Sequence, residues 1–322
     1  MCKIIVTGCA GFIGSHLTEA LLAEGHEVYG IDNFDPFYGL SIKKNNLNHF
    51  LNHRSFTFYE ADLTDEESIS EIFSRGAEIV VHLAGKAGVR PSIEDPQSYI
   101  DNNITATRVV LSAMHQNNIR KIAFASSSSV YGNNPETPWH EDLTVDNPIS
   151  PYAFSKKSCE LLNHTWHHLY NIDVVNMRFF TVYGPRQRPD LAIHKFTRML
   201  YDGTPLTLFG DGSTSRDYTY VDDTIKGILK VIYYLRDHNN VFETVNLGNN
   251  HPISLKELVN KLTQITGTTP EIERLPMQPG DVNITYANID KATRIFGYKP
   301  VVSLESGLQK FNEWFRNFYF NK

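Results

Sequence analysis

Tyr152 and Lys156 stand four positions apart in Pro151-Tyr-Ala-Phe-Ser-Lys156. On a helix they lie one above the other on one face, and Pro151 suits that helix's first turn. Upstream, an apolar run, Ile122-Ala-Phe-Ala125, leads into four serines, Ser126 to Ser129. A phenol, an ammonium and a hydroxyl brought together make a proton-transfer set. Tyrosine alone is a weak base at neutral pH, because its ordinary pKa is about 10. A neighbouring cation favours the phenolate. Lowering the pKa by about 3 units takes about 4 kcal/mol of differential stabilisation, of which Lys156 supplies a part. A Tyr-x-x-x-Lys pair by itself is common on helix surfaces. The chemistry therefore needs a second cation, and the N-terminus decides whether one is available.

Lys3-Ile-Ile-Val-Thr7 reads as a short buried strand, and Ser15 to Glu24 reads as a helix. Between them lies Gly8-Cys-Ala-Gly11-Phe12-Ile13-Gly14. This strand, glycine turn and helix present backbone N–H groups and a positive helix end to a pyrophosphate. The first glycine gap is one residue longer than in the standard dinucleotide fingerprint. A second strand, Glu27 to Ile31, ends at Asp32, 18 positions after Gly14. A carboxylate there accepts the adenosine ribose hydroxyls and repels a 2′-phosphate, which favours NAD over NADP. The positively charged nicotinamide ring is then the second cation that Tyr152 requires.

Thr57 to Ala61 is a third strand, ending at Asp62-Leu63. Ile79 to Leu83 is a fourth, ending at Ala84-Gly85, whose small side chains let a cofactor lie close. Pro96 to Gln116 reads as a helix, Ile122 to Ala125 as the fifth strand and Asp173 to Met177 as the sixth. The alternation predicts an α/β fold with a Rossmann-type, doubly wound parallel sheet. Ligands of such sheets lie beyond the carboxyl ends of the strands, and Gly8, Asp32, Asp62, Gly85 and Ser126 all fall at such ends. The expected organisation is a dinucleotide-binding domain over 1–180 with a return segment at about 216–240. A smaller, interrupted C-terminal substrate-binding domain takes 181–215 and 241–322. Within it, the loop from Met277 to Val282 is placed to close on a ligand.

Composition narrows the function classes. The chain of 322 residues carries a formal net charge of −6, whereas a nucleic-acid footprint needs a basic face. Its three cysteines give no disulfide framework and suit a reducing compartment. No apolar run approaches the roughly 18 residues of a membrane span. Glycines and early glutamates rule against reading the first 22 residues as a signal peptide. His164 and His168 are four apart but lack a third ligand, so no metal is expected. The aromatics of Phe311 to Phe320 have helical spacing and read as packing.

These motifs together resemble the extended short-chain dehydrogenase/reductases over nearly the whole chain. Within them the chain is similar to the nucleotide-sugar 4-epimerases, and most of all to the UDP-glucuronate 4-epimerase subgroup. The resemblance is carried by Gly8-x-x-Gly11-x-x-Gly14, Asp32-Asn33, Asp62-Leu63, His82-Leu83-Ala84-Gly85, Ser126 to Gly132, Tyr152-x-x-x-Lys156, Arg216-Asp-Tyr and Pro279-Gly-Asp281. For the subgroup it rests on Arg178 to Pro185, Arg188-Pro-Asp190 and Pro276 to Asp281. It implies a UDP-sugar substrate, with Tyr152 taking the proton of the sugar 4-hydroxyl while NAD takes the C4 hydride. Lys156 would hold the nicotinamide ribose, and Ser127, with Ser128, the reacting oxygen. Asp62 and Leu63 would flank the adenine, and Arg216 and Arg274 would meet the diphosphate. Thr181 and Arg188 match carboxylate-binding positions, and Asn103 and Asp281 join the ligand contacts. A homodimer in the cytoplasm goes with this expectation. The rivals are a UDP-glucose or UDP-N-acetylglucosamine 4-epimerase, a 4,6-dehydratase, a decarboxylase and a non-catalytic NAD sensor. Dehydratases of the family place an Asp-Glu pair where this chain has Ser128-Ser129, so dehydration is not expected.

Overall fold

The computed structural model describes residues 1–276 and 282–320. Its strands in chain order are β1 (Lys3–Thr7), β2 (Glu27–Asp32), β3 (Phe56–Glu60), β4 (Ile79–His82), β5 (Lys121–Ser127) and β6 (Asp173–Phe179). There follow β7 (Thr181–Tyr183), β8 (Leu206–Phe209), β9 (Ser215–Tyr220), β10 (Phe242–Leu247), β11 (Pro252–Ser254) and β12 (Ile272–Leu275). Seven strands form one parallel sheet in the order β10-β6-β5-β4-β1-β2-β3. Strands β1, β4, β5 and β6 are buried on both faces almost throughout. This explains why they read as unbroken apolar runs rather than alternating ones. Strand order reverses between β1 and β4, and the crevice at that switch point is where a doubly wound sheet binds its ligand.

The strand ends are level with one another. Thr7 is in register with Ile31 on one side and His82 on the other, and Ser127 pairs with Phe179. Gly8, Asp32, Leu83 and Ser127 therefore come out on one rim. Two small sheets, β11-β9-β7 and β12-β8, stand beyond it. Strand β10 departs from the sequence expectation. The sequence places it in the 241–322 substrate region, but it pairs in parallel with β6 and forms the edge of the large sheet. The loop from Met277 to Asp281 lies outside the described residues.

The helix Pro151–Tyr170 starts with Ser150, whose hydroxyl accepts from the Ala153 N–H, and with Pro151 in its first turn. It ends at Asn171 in the left-handed conformation, φ 53°. Both are ordinary helix boundaries. Tyr152, Lys156 and Glu160 follow one another at four-residue intervals along its inner face. Glu160 meets Arg178 of β6 in a bidentate pair at 2.9 and 2.9 Å and accepts the Ser126 hydroxyl of β5 at 2.6 Å. Both charges are nearly excluded from solvent, at 4% and 5% exposure. Removing one partner of such a pair leaves a buried, uncompensated charge. We expect Glu160→Ala to lose about 3–5 kcal/mol of stability, seen as a lower urea midpoint.

Candidate active site

The glycine turn is built by close backbone approach. Gly8 has φ +73°, and a Cβ there would lie 2.9 Å from the Ala84 nitrogen. A Cβ on Gly14 would come within 2.0 Å of the Gly8 carbonyl oxygen, so the helix Phe12–Ala23 can begin only if that residue is glycine. Above the turn opens a cavity of about 480 Å³. Gly8, Gly11, Phe12, Ile13 and Gly14 form one wall, with Asp32 and Asn33 at the end of β2. Asp62, Leu63, Leu83, Ala84 and Gly85 line it further along. Ser127, Ser128, Tyr152, Lys156, Thr181 and Arg188 line the other end.

Asp32 is fixed before any ligand arrives. Its two carboxylate oxygens accept the N–H groups of Ala10 at 3.2 Å and Phe34 at 2.9 Å. Lys43, from the helix Leu40–Asn48, stands 3.6 Å away and is itself buried. Asp62 accepts from the Asn33 amide at 2.8 Å and from the Thr64 N–H and hydroxyl at 2.8 and 2.6 Å. Burial pushes its pKa up, but these hydrogen bonds outweigh it and hold the carboxyl below its usual range.

At the other end Lys156 is buried and donates to the Ala125 carbonyl at 2.9 Å. Burial lowers its pKa. Burial also raises that of the Tyr152 phenol, while a hydrogen bond from Ser127 and the nearby Arg188 charge act in the opposite direction. Arg188 is held by Asp190, with Nε and Nη2 donating at 2.9 and 2.6 Å. The same guanidinium lies 5.0 Å over the Phe37 ring and touches the Ala87 carbonyl at 3.4 Å. Thr181, half-buried on β7, pairs with Tyr218 of β9.

Asn103, expected among the ligand contacts, is bonded within the protein. It sits in a π-helical turn, Ile100–Thr105, that splits the helix expected over 96–116. Its amide oxygen accepts the Lys86 N–H at 2.8 Å, and its nitrogen donates to the Lys86 carbonyl at 3.0 Å and Ser155 Oγ at 2.8 Å. It braces the loop after β4 against the Tyr152 helix and lies behind the cavity wall. Arg216 on β9 and Arg274 on β12 do not line the cavity. They flank the Gly210–Ser213 turn, where Arg216 donates to the Ser215 carbonyl at 2.9 Å and Arg274 to the Gly210 carbonyl at 3.3 Å. Asp281 lies outside the described residues. Sequence reasoning missed Lys43, Tyr38 and Lys86, which also line the cavity. Tyr38 and Lys43 sit in a segment of mixed polarity without a motif, where no periodicity marks an inward lysine, and Lys86 follows the His82–Gly85 motif without belonging to it.

A glycine cradle at the switch point, an acidic ribose position and a Tyr-Lys-Ser set lining the same cavity define a dinucleotide-binding protein of short-chain dehydrogenase type. The chain belongs to the GDP-mannose 4,6-dehydratase family of the extended short-chain dehydrogenase/reductases, whose model matches residues 5–311. It is 41% identical to a UDP-glucuronate 4-epimerase of Thermodesulfobacterium geofontis, over 96% of this chain and 95% of that one. A Bacillus cereus UDP-glucuronic acid 4-epimerase, solved with UDP-glucuronic acid and NAD, superposes with a TM-score of 0.93 at 37% identity, covering 98% and 100% of the two chains. A Thermotoga maritima UDP-glucose 4-epimerase, solved with UDP-glucose, reaches 0.89 at 33%, covering 98% and 99%. Overall shape therefore does not separate the two sugars.

The Tyr152 environment generates a signed prediction. Ser127 favours the phenolate, so Ser127→Ala raises the phenol's pKa. For any reaction in which Tyr152 is the base, the acid limb of kcat/KM against pH moves to higher pH. At neutral pH the rate falls about tenfold, the worth of one hydrogen bond to a charged group, and partly recovers in more alkaline buffer.

Proposed function

We propose that this chain is an NAD-dependent UDP-sugar 4-epimerase that converts UDP-glucuronate to UDP-galacturonate through a 4-keto sugar. One juxtaposition carries the reading: a Tyr-Lys-Ser proton-transfer set and an arginine line the same cavity as the dinucleotide cradle. The relatives and neighbours named for UDP-glucuronate support it. Gly8 to Gly14 would hold the pyrophosphate by backbone N–H groups, and Asp32 the adenosine ribose. Asp62 and Leu63 would flank the adenine. NAD bound there supplies a reversible hydride acceptor for C4.

The chain's own residues do the rest. Tyr152 accepts the proton of the 4-hydroxyl, and Ser127, with Ser128, holds the oxygen as it becomes a ketone. Lys156 would hold the nicotinamide ribose, while Ser127 and the Arg188 charge favour the phenolate. Inversion requires that the sugar present its other face before hydride returns, so the contacts at the sugar end must release and re-form. Ser128-Ser129, in place of an acid pair, leave no carboxylic group there to expel water at neutral pH. Dehydration is therefore disfavoured although the family model takes its name from a dehydratase.

Arg188 and Thr181 suit a carboxylate far better than a neutral hydroxymethyl group. Asp190 already orients the guanidinium through Nε and Nη2, and Nη1 takes no part in that pair. The anchor has a second purpose. The oxidised sugar is a β-keto acid, which loses CO₂ when the bond to its carboxylate stands perpendicular to the ketone plane. Holding the carboxylate out of that alignment protects the intermediate. Arg216 and Arg274 would reach the diphosphate only from outside the described cavity wall.

We extend the reading to a homodimer in the cytoplasm. The helix Pro151–Tyr170 exposes Phe154, Leu161 and Leu169 at 47%, 57% and 57%, two of them seven residues apart on one face. All three cysteines are unpaired, as a reducing compartment would keep them. No described helix is long and apolar enough to cross a membrane.

Three outcomes test these statements. Tyr152→Phe should cut turnover by roughly 10²–10⁴-fold, the usual contribution of a general acid–base group, with UDP-sugar binding by calorimetry largely retained. Activity within a few-fold of wild type would place the base elsewhere. Wild type should use UDP-glucose poorly, and Arg188→Ala should lose most UDP-glucuronate turnover while leaking a 4-keto-pentose, both read by NMR of the products. Efficient UDP-glucose turnover that Arg188→Ala leaves unchanged would overturn the choice of sugar. Leu161→Glu should convert a dimer to a monomer in sedimentation velocity.

A further inference from the structure

The helix Leu40–Asn48 has a buried lysine on its inner face. Lys43 is 7% exposed and lies 3.6 Å from Asp32 Oδ1. Its ammonium stands 5.2 Å over the Tyr38 ring, and the helix is tied to the glycine turn by Asn46, whose amide donates to the Ala10 carbonyl at 3.1 Å. Asp32 and Lys43 both line the cavity. A carboxylate at this strand end selects NAD by accepting the ribose hydroxyls and repelling a 2′-phosphate. Here the carboxylate has a counter-charge beside it, held in place by packing. Lysine is also a phosphate-binding cation in its own right.

We infer that Lys43 is a second determinant of cofactor choice, pinning Asp32 in the native protein and standing as the cation for a 2′-phosphate once that carboxylate is neutralised. Asp32 and Lys43 cancel as a pair, so the native barrier to a 2′-phosphorylated dinucleotide is the modest one of a compensated carboxylate. Without the Asp32 charge, a buried ammonium is left without its counter-ion beside the ribose position, and a 2′-phosphate supplies one. This inference rests on the NAD reading of the site.

The test reads bound nucleotide rather than activity. Wild type, Lys43→Gln, Asp32→Asn and the double variant are each equilibrated with equimolar NAD and NADP, desalted and denatured, and the released nucleotides are quantified. Asparagine keeps an acceptor for the Ala10 and Phe34 N–H groups while removing the charge. In Asp32→Asn the bound NADP:NAD ratio should rise on the order of tenfold to a hundredfold, the worth of a charge-assisted hydrogen bond. The double variant should lose most of that rise, and Lys43→Gln alone should bring the ratio below wild type. An unchanged ratio in Asp32→Asn, or a double variant equal to it, overturns the role of Lys43. If Asp32→Asn does not fold, Lys43→Gln decides, and a ratio equal to wild type overturns the proposal. Wild type that releases neither nucleotide overturns the NAD reading itself, a failure distinct from that of Lys43.

Discussion

The buried pair between Glu160 and Arg178, with the Ser126 hydroxyl bound to the same carboxylate, sets the geometry of the cavity's reactive end. It ties a helix to the ends of two neighbouring strands. Lys156 and Tyr152 are one and two turns before Glu160 on that helix, and Ser127 is the next residue after Ser126. Fixing Glu160 therefore fixes the distance from the phenol and ammonium to the serine hydroxyl. Buried ion pairs are poor sources of net stability but are costly to break, which makes them useful for specifying one arrangement. Arg178 also lies 4.9 Å over the Tyr131 ring. Tyr131 in turn donates to Asn246 of β10 at 2.7 Å, so the same pair reaches the sheet's far edge.

Burial of the reactive groups has opposing consequences. It pushes the Tyr152 phenol up and the Lys156 ammonium down, each away from its charged form. The fold compensates at the phenol with Ser127 and the Arg188 charge. In the proposed function Arg188 is thus coupled to two events, the handling of a carboxylate and the ionisation of the base. Its pairing with Asp190 moderates that field, since part of the positive charge is balanced at 2.6 Å.

Outside the large sheet the chain is organised by carboxylates that accept backbone N–H groups across long sequence gaps. Asp217 of β9 takes those of Asn249, Asn250 and Ala287 at 2.7, 3.0 and 3.1 Å. Asp223 takes those of Val301 and Val302 at 2.9 and 2.8 Å. Each satisfies donors that would otherwise be orphaned at the end of a short element. These bonds hold the interrupted segments against the dinucleotide-binding sheet where regular strand pairing is too short to do so.

What the sequence determined by itself is local or periodic. The glycine spacing, the run of fully apolar strands, the acidic residue closing β2 and the four-residue step from Tyr152 to Lys156 are each set by a few neighbouring residues. The parallel sheet and the cavity at its strand ends were therefore legible. Tertiary structure decided the rest. It moved Phe242–Leu247 from the substrate region to the sheet edge, because β6 offers that strand a parallel partner along its whole length. It turned Asn103 into a brace, because both ends of its amide are taken by Lys86 and Ser155. It left Arg216 and Arg274 outside the cavity wall, since the Gly210–Ser213 turn sets where they stand, and it brought Lys43 to Asp32 across ten intervening residues of mixed polarity. Each depends on which surfaces meet after distant segments pack, and a one-dimensional pattern carries no record of that.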